Sequence, residues 1–454
     1  MSLTQKKYKH IRFLGAEGIG MSALIRILEK LQDAPKISKS DIAYKENDPL
    51  DADIDLVVRS TAIKDTDPDM VELCKRGVEV WHRRDMLNYV SRDYKQVVVS
   101  GTHGKTTCSA MLAHLLKEVG NDPAYAVGGI LANYNSNGDH GAGEYFVLEG
   151  DESDKSFTQT LPHLALVTCI EEDHLENYPG GLEEIQECFF AFLHKAPHKV
   201  INIDDTSLNA YFLTKKDQES IVTYSSKNSN ADFLIDFDKR SFRYQEKDYE
   251  LKLNFPGKHN FTNAVGVIAA ASMLGVDIAK AAKAMESFKG IQRRFELINS
   301  AYKINDKQIV KIYDDYAHHP TEVDVLLESL PSMDSKKIAF VYQPHHPERT
   351  KQLWHDFVDS FKKFPKEHLC LILDIYIARS KPIDGVNSEK LVQEVGKDNV
   401  IYIKPKEQGT NFQGNFLDII DALRDNILEA IPQDVDTIFF VGAGNIAKIA
   451  KSFK

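Results

Sequence analysis

The chain has 454 residues, 43% of them hydrophobic and 27% charged, and carries a formal charge of -11. That length exceeds one ordinary hydrophobic core and predicts two to four domains. The acidic balance argues against a nucleic-acid binder, which needs a basic face, but leaves room for a small anion held by local groups. Five cysteines, Cys74, Cys108, Cys169, Cys188 and Cys370, form no CxxC pair, so they read as reduced thiols rather than a disulfide scaffold or zinc site. The start, MSLTQKKYKH, lacks the apolar run of a signal peptide, and the longest apolar stretches, such as LCLILDIYIA near residue 370, are strand-sized. A cytoplasmic protein with no membrane partner is expected.

Short β-rich runs alternate with longer helical patterns, which predicts an α/β protein with mostly parallel sheets. The strand HIRFLG leads through a glycine turn into the helix MSALIRILEKL, and DLVVRSTAI at residues 55–63 follows. The polar stretch VSRDYK places a boundary near residue 95. Beyond it come the strands QVVVSG, EYFVLEG and HLALVTCI, and later the helix around NFTNAVGVIAAASMLG. Between them IVTYSS, DFLIDFD and SFRYQEKDYELKL, roughly residues 221–254, read as an antiparallel patch. FKGIQRRFELI, at about 288–296, reads as a second linker, and the third block runs from IVKIYDDYAHHP to DTIFFVGAGN and IAKIAKSFK. Three domains are expected, at 1–95, 96–290 and 291–454.

VVVSGTHGKTT, residues 97–107, carries the strongest chemical signal. A hydrophobic strand enters a tight glycine turn and a helix leaves it, so backbone N–H groups and the Lys105 ammonium can meet phosphate oxygens. The usual phosphate loop places four residues between its glycines; here Gly101 and Gly104 stand closer together. An ordinary strand-to-helix turn is the plainer alternative. Thr106 offers a hydroxyl suited to Mg²⁺, and Glu149, at a strand end leading into GDESD, offers a carboxylate. Alone, that acidic loop would read as solvated surface. IEEDHLENY places Asp173 and His174 after another strand, where a histidine is either structural or a ligand at the carboxyl edge of a sheet.

YDDYAHHPTEV crowds Asp314, Asp315, His318 and His319 into one turn and also fits a capped helix start with Pro320 at its first position. VYQPHHPERT places His345, His346 and Arg349 after a strand, and a fixed guanidinium suits a carboxylate partner. GAEGIGMSA resembles a dinucleotide turn, but Glu17 would repel a pyrophosphate by roughly 4 kcal/mol at 4 Å and an effective dielectric of about 20. Either Glu17 points away or the anion sits against Gly18 and Gly20.

Taken in order, GIGMSALIRIL, GTHGKTT, EGDESDKSF, IEEDHLENY, PGKHNFTNA, QRRFE, DDYAHHPTEV and QPHHPERT resemble the Mur ligases, most closely their L-alanine-adding branch. The resemblance covers nearly the whole chain, and that family uses a contracted Gly-Thr-x-Gly-Lys-Thr loop. It implies a Rossmann-like UDP-sugar domain, a central P-loop ATPase and a Rossmann-like third domain that closes over it. It implies cytoplasmic peptidoglycan-precursor synthesis, in which ATP phosphorylates the lactyl carboxylate of UDP-N-acetylmuramate and the amino group of L-alanine attacks the acyl phosphate.

The resemblance also implies residue roles. Gly101, Thr102, His103, Gly104, Lys105, Thr106 and Thr107 would cradle ATP, with Lys105 on the β- and γ-phosphates. Thr106 and Glu149 would ligate one Mg²⁺, and His174 a second. Asn260, with His259 nearby, would meet adenine, Arg294 the phosphates and Asp315 the ribose. His318, His345 and Arg349 would face the amino acid. Gly18, Ile19, Gly20, Ser40, Asp41 and Ser60 would hold the UDP-sugar. A monomer or homodimer is expected.

The chain departs from that pattern in places. Glu17 replaces a usual glycine, the stretch after Asp41 is short, and His346 stands where the L-alanine ligases typically have arginine, which leaves uridine binding and the preferred amino acid open. The helix EEIQECFFAFLHK has phenylalanines where some relatives use a carbamoylated lysine, which fits the alanine-adding branch. A recycling ligase that attaches a whole tripeptide is the near alternative. A GTPase switch would need an Asn-Lys-x-Asp reader, and there is no Asn-Lys pair; a dehydrogenase would leave Lys105, Glu149 and His174 without work.

Overall fold

The computed structural model describes residues 8–41, 48–153, 155–173, 175, 177–217, 220–254, 257–377, 381–404 and 416–454. The chain divides into two compact units, one of residues 1–254 and 260–289 and the other of 255–259 and 290–454. Among the described residues the strands form three sheets of four, ten and six members.

The first unit holds two of these sheets. The smaller is all parallel, in the order β2-β1-β3-β4, with β1 His10–Leu14, β2 Lys36–Ser40, β3 Leu56–Arg59 and β4 Glu79–His82. β3 follows β2 with no intervening strand or helix among the described residues. The helix Ile19–Glu29 turns Met21, Leu24, Ile25 and Leu28 onto this sheet against Ile11, Phe13, Leu56 and Val58.

The larger sheet is built from β5 Lys95–Ser100, β6 Ala124–Leu131, β7 Ser136–Asp139, β8 Tyr145–Glu149, β9 Leu164–Val167 and β10 His198–Asn202, then β11 Ser220–Ser225, β12 Phe233–Asp236, β13 Ser241–Tyr244 and β14 Lys247–Glu250. Its order is β14-β13-β12-β11-β10-β9-β5-β8-β6-β7. β5 is central and fully covered: Val97, Val98 and Val99 are each at 0% exposure. Burial on both faces is why this strand is a continuous valine run instead of an alternating one.

The antiparallel patch expected over residues 221–254 is smaller than the sequence implied. IVTYSS, on β11, runs parallel to both β10 and β12, and only β12, β13 and β14 form an antiparallel meander. A half-buried strand has the same alternation whichever way its neighbour runs, so the pattern could not separate the two.

The second unit is a six-stranded sheet, β15-β16-β20-β17-β18-β19, with β15 Glu296–Asn305, β16 Gln308–Asp315, β17 Ile338–Tyr342, β18 Leu369–Ile372, β19 Val400–Tyr402 and β20 Thr437–Val441. β15 pairs antiparallel with β16 as a hairpin at the edge, and the other pairs are parallel. Period-2 alternation on β17 sends Ile338, Phe340 and Tyr342 into one core and Ala339 and Val341 into the other. Two covered faces place the ligand-accessible edge at the strand ends. Among the described residues no helix is long and apolar enough to cross a membrane.

Candidate active site

In the first unit the site begins where β5 ends. Its neighbours β8 and β9 are both parallel to it, so the carboxyl ends of three adjacent strands open on one edge. Ser100 ends β5 by donating its hydroxyl to Gly150 O at 2.8 Å. Gly101 then takes φ +136°, and a Cβ there would sit 2.1 Å from the Thr168 hydroxyl. Gly104, at φ +83°, is the N-cap of the helix Lys105–Glu118. Both glycines are therefore required by backbone conformation. The loop is tied to the residues after β9: Thr102 N donates to Cys169 O at 3.0 Å, and Glu171 N donates to the Thr102 hydroxyl at 2.9 Å. His103 lies 3.4 Å from Glu171, and Thr107 sits in the helix's first turn.

Lys105 curls back over the loop. Its ammonium donates to Gly101 O at 2.8 Å, Thr102 O at 3.0 Å and Glu152 Oε1 at 2.7 Å. Burial opposes its charge, but Glu152 outweighs that and the amine is held above its usual range. Burial in turn pushes Glu152 upward, with Lys105 pulling the other way. Beside this pair, Thr106 Oγ1 donates to Glu149 Oε1 at 2.8 Å, and Gly128 N donates to Glu149 Oε2 at 2.6 Å. The Asn263 side chain lies against Gly104, where a Cβ would meet its Oδ1 at 3.0 Å. Asn260, from the same helix Lys258–Met273, is buried. His174 lies outside the described residues.

The first turn gathers the other expected residues of this unit. Gly15, at φ +80°, donates its amide to Ser40 O at 2.9 Å, and a Cβ on it would meet the Ser60 hydroxyl at 2.4 Å. Gly18 caps the helix Ile19–Glu29. Glu17 is exposed, and its amide donates to Asp41 at 2.9 Å. Gly18, Ile19, Gly20, Ser40, Asp41 and Ser60 thus surround the ends of β1, β2 and β3. Arg83 was not foreseen: its guanidinium lies so close to Gly20 that a Cβ there would meet it at 2.4 Å.

In the second unit, register aligns Asp315, Val441 and Tyr342 across β16, β20 and β17, so the loops that follow them are neighbours. Asp315 is buried and accepts amides from Phe295 and Ala317, each at 2.7 Å. His318 Nδ1 lies 2.9 Å from Tyr316 O and 3.4 Å from Glu322, and its ring is 6.0 Å from that of His345. His345 stacks on Tyr376, and burial, helped by His346, His318 and Arg349, pushes its imidazole down to about 4. Arg349 projects its charge onto His318, Tyr342 and His345. Arg294 pairs with Glu322 at 3.1 Å and lies over the Tyr316 ring. Despite the cost of burial, Arg294 and His318 hold Glu322 down to about 2. His259 is pushed down to about 4 by burial and by Arg294.

Several residues of these clusters escaped the sequence reading, among them Glu152, Gly128, Asn263, Arg83 and Glu322. Glu322 had a specific local signal, since it is the third helical residue of a capping box on His319.

Residues 99–271 match the family model described as the Mur ligase middle domain, and residues 293–444 match the Mur ligase, glutamate ligase domain. A protein of Geobacter sulfurreducens named UDP-N-acetylmuramate–L-alanine ligase is 32% identical over 480 aligned positions, covering 98% of this chain and 97% of its own. The chain belongs to the Mur ligase family. Among solved structures, the UDP-N-acetylmuramate-alanine ligase of Thermotoga maritima superposes with TM-score 0.74 at 25% identity, covering 98% of each chain. A murein peptide ligase of Psychrobacter arcticus shares the fold, with TM-score 0.64 at 21% identity over 98% of each chain. The α/β architecture of this Mur ligase, with its three mostly parallel sheets, agrees with the fold class expected from its sequence.

Proposed function

We propose that this Mur ligase joins L-alanine to the lactyl carboxylate of UDP-N-acetylmuramate, using ATP and passing through an acyl phosphate. The observation that carries the reading is the loop at 101–107, with Lys105 and the Thr106–Glu149 pair on one strand edge, in a chain that aligns end to end with an L-alanine ligase. The near alternative, a tripeptide-recycling ligase, is favoured by likeness of fold alone.

The difficulty of the reaction is charge: a carboxylate must approach a triphosphate, and each uncompensated contact costs several kcal/mol in a partly dry site. In this reading the loop amides and Lys105 hold the β- and γ-phosphates. Thr106 and Glu149 fit magnesium, because a hydroxyl and a carboxylate lie side by side as hard oxygen donors. Magnesium bound there would supply charge screening for the terminal phosphate. Gly18, Ile19, Gly20, Ser40, Asp41 and Ser60 hold the UDP-sugar, with Glu17 directed to solvent. In the second unit Arg349 takes the carboxylate of the amino acid, and His318 and His345 line its place. Their imidazoles are both held below the ordinary range, so they are neutral near pH 7 and do not compete with Arg349 for that carboxylate.

The test is phosphate release with ATP, Mg²⁺ and UDP-N-acetylmuramate, offering alanine, serine, glycine and the tripeptide in turn. Release should need both sugar nucleotide and acceptor, with alanine best. Release that persists without the sugar nucleotide would overturn the ligase reading; preference for the tripeptide would select the recycling enzyme.

A further inference from the structure

Lys105 has three N–H donors, and all three are occupied. Two go to the loop's own carbonyls, at 2.8 and 3.0 Å, and the third to Glu152. A phosphate oxygen can join this ammonium only by displacing one of them. Glu152 is the acceptor that matches a phosphate in charge, and both its oxygens lie 2.7 Å from Nζ. Only Oε1 receives a directed hydrogen bond; Oε2 is buried with no donor aimed at it. The residue is 4% exposed, and its backbone carbonyl is tied to the Tyr178 hydroxyl at 2.6 Å. A carboxylate this deeply buried is costly unless paired, and its charge partner here is the lysine of the phosphate loop.

We propose that Glu152 is a positioning residue that occupies the Lys105 ammonium as a stand-in for a terminal phosphate, so that nucleotide must displace this carboxylate to engage the lysine. The proposal rests on the assignment of residues 101–107 as the ATP site. The buried acid holds the lysine folded along the loop, and it opposes the entry of anions too weakly held to displace it. Glu149, three residues earlier, has a separate environment, bonded to Thr106 and Gly128.

The experiment measures binding of MgATP and MgADP by calorimetry to the full chain carrying Glu152→Gln, Lys105→Ala or both. Glu152→Gln should bind each nucleotide about tenfold more tightly, equivalent to about 1.4 kcal/mol, because the competing charge is gone. That gain should vanish in the Lys105→Ala background. Glu152→Ala removes the same charge by another route and should also tighten binding, which keeps the idea testable if one variant fails to fold. Unchanged or weaker binding by the Glu152 variants, or a raised magnesium requirement that marks a metal ligand, would overturn the proposal while leaving the ATP site intact. If Lys105→Ala itself leaves nucleotide affinity untouched, the assignment of the loop fails as well.

Discussion

Glu149 is clamped from two directions: the Thr106 hydroxyl donates to one oxygen at 2.8 Å and the Gly128 amide to the other at 2.6 Å. A Cβ at residue 128 would meet both carboxylate oxygens at 2.6 Å. Gly128 is not in the left-handed region, so alanine there adds no backbone strain and acts by pushing Glu149 aside. Gly128→Ala should therefore raise the Mg²⁺ concentration needed for half-maximal activity. Glu149→Gln should lower kcat by about 10²-fold or more, the scale of losing one preorganised electrostatic group. A magnesium titration of phosphate release reads both; unchanged profiles would remove the metal role from this pair.

Arg349 projects its charge onto His318, His345 and Tyr342 within the second unit. If it binds the carboxylate of the amino acid, Arg349→Ala removes charge-assisted hydrogen bonds worth about 1.5–3 kcal/mol. The KM for alanine should rise by about ten- to a hundredfold while ATP affinity stays constant. Steady-state kinetics with each substrate varied in turn decides this, and a shift confined to ATP would remove the assignment.

His345 is pushed down to about 4 from an ordinary 6.5. Between those values the unfolded chain binds a proton that the folded chain does not, so stability falls as pH drops from about 6.5 toward 4. His345→Gln should flatten part of that slope. Urea unfolding of both proteins across this range measures it; identical slopes would show that the imidazole is not held neutral.

Asp314 behaves in the opposite sense. It is fully buried, neither oxygen has a hydrogen-bond donor, Arg293 is 3.5 Å away, and burial raises it to about 6. Here the folded chain binds the extra proton between about 4 and 6, so stability is lost as pH rises through that window. Asp314→Asn should be neutral near pH 4 and stabilising at pH 8, by about 3 kcal/mol. Thermal melts at the two pH values check it, and destabilisation at pH 8 would mean that the Arg293 pairing dominates.

The backbone of the candidate site was legible because its cues are local. Gly101 and Gly104 announce a turn through the backbone freedom they alone have, and a valine run before them announces a covered strand. The same locality misled at IVTYSS, whose alternation is blind to strand direction. It was silent at Glu152 and Gly128, whose partners Lys105 and Glu149 lie 47 and 21 residues away.

Residue order alone determined the family and the strand, glycine turn and helix around Lys105, since contiguous segments encode these within a few positions. Only tertiary packing decided which groups meet. Lys105 reaches Glu152 across 47 residues and Glu149 reaches Gly128 across 21 because β5 lies parallel to β8, and β8 to β6. Those pairings follow from sheet order and crossover packing, which short-range patterns do not specify.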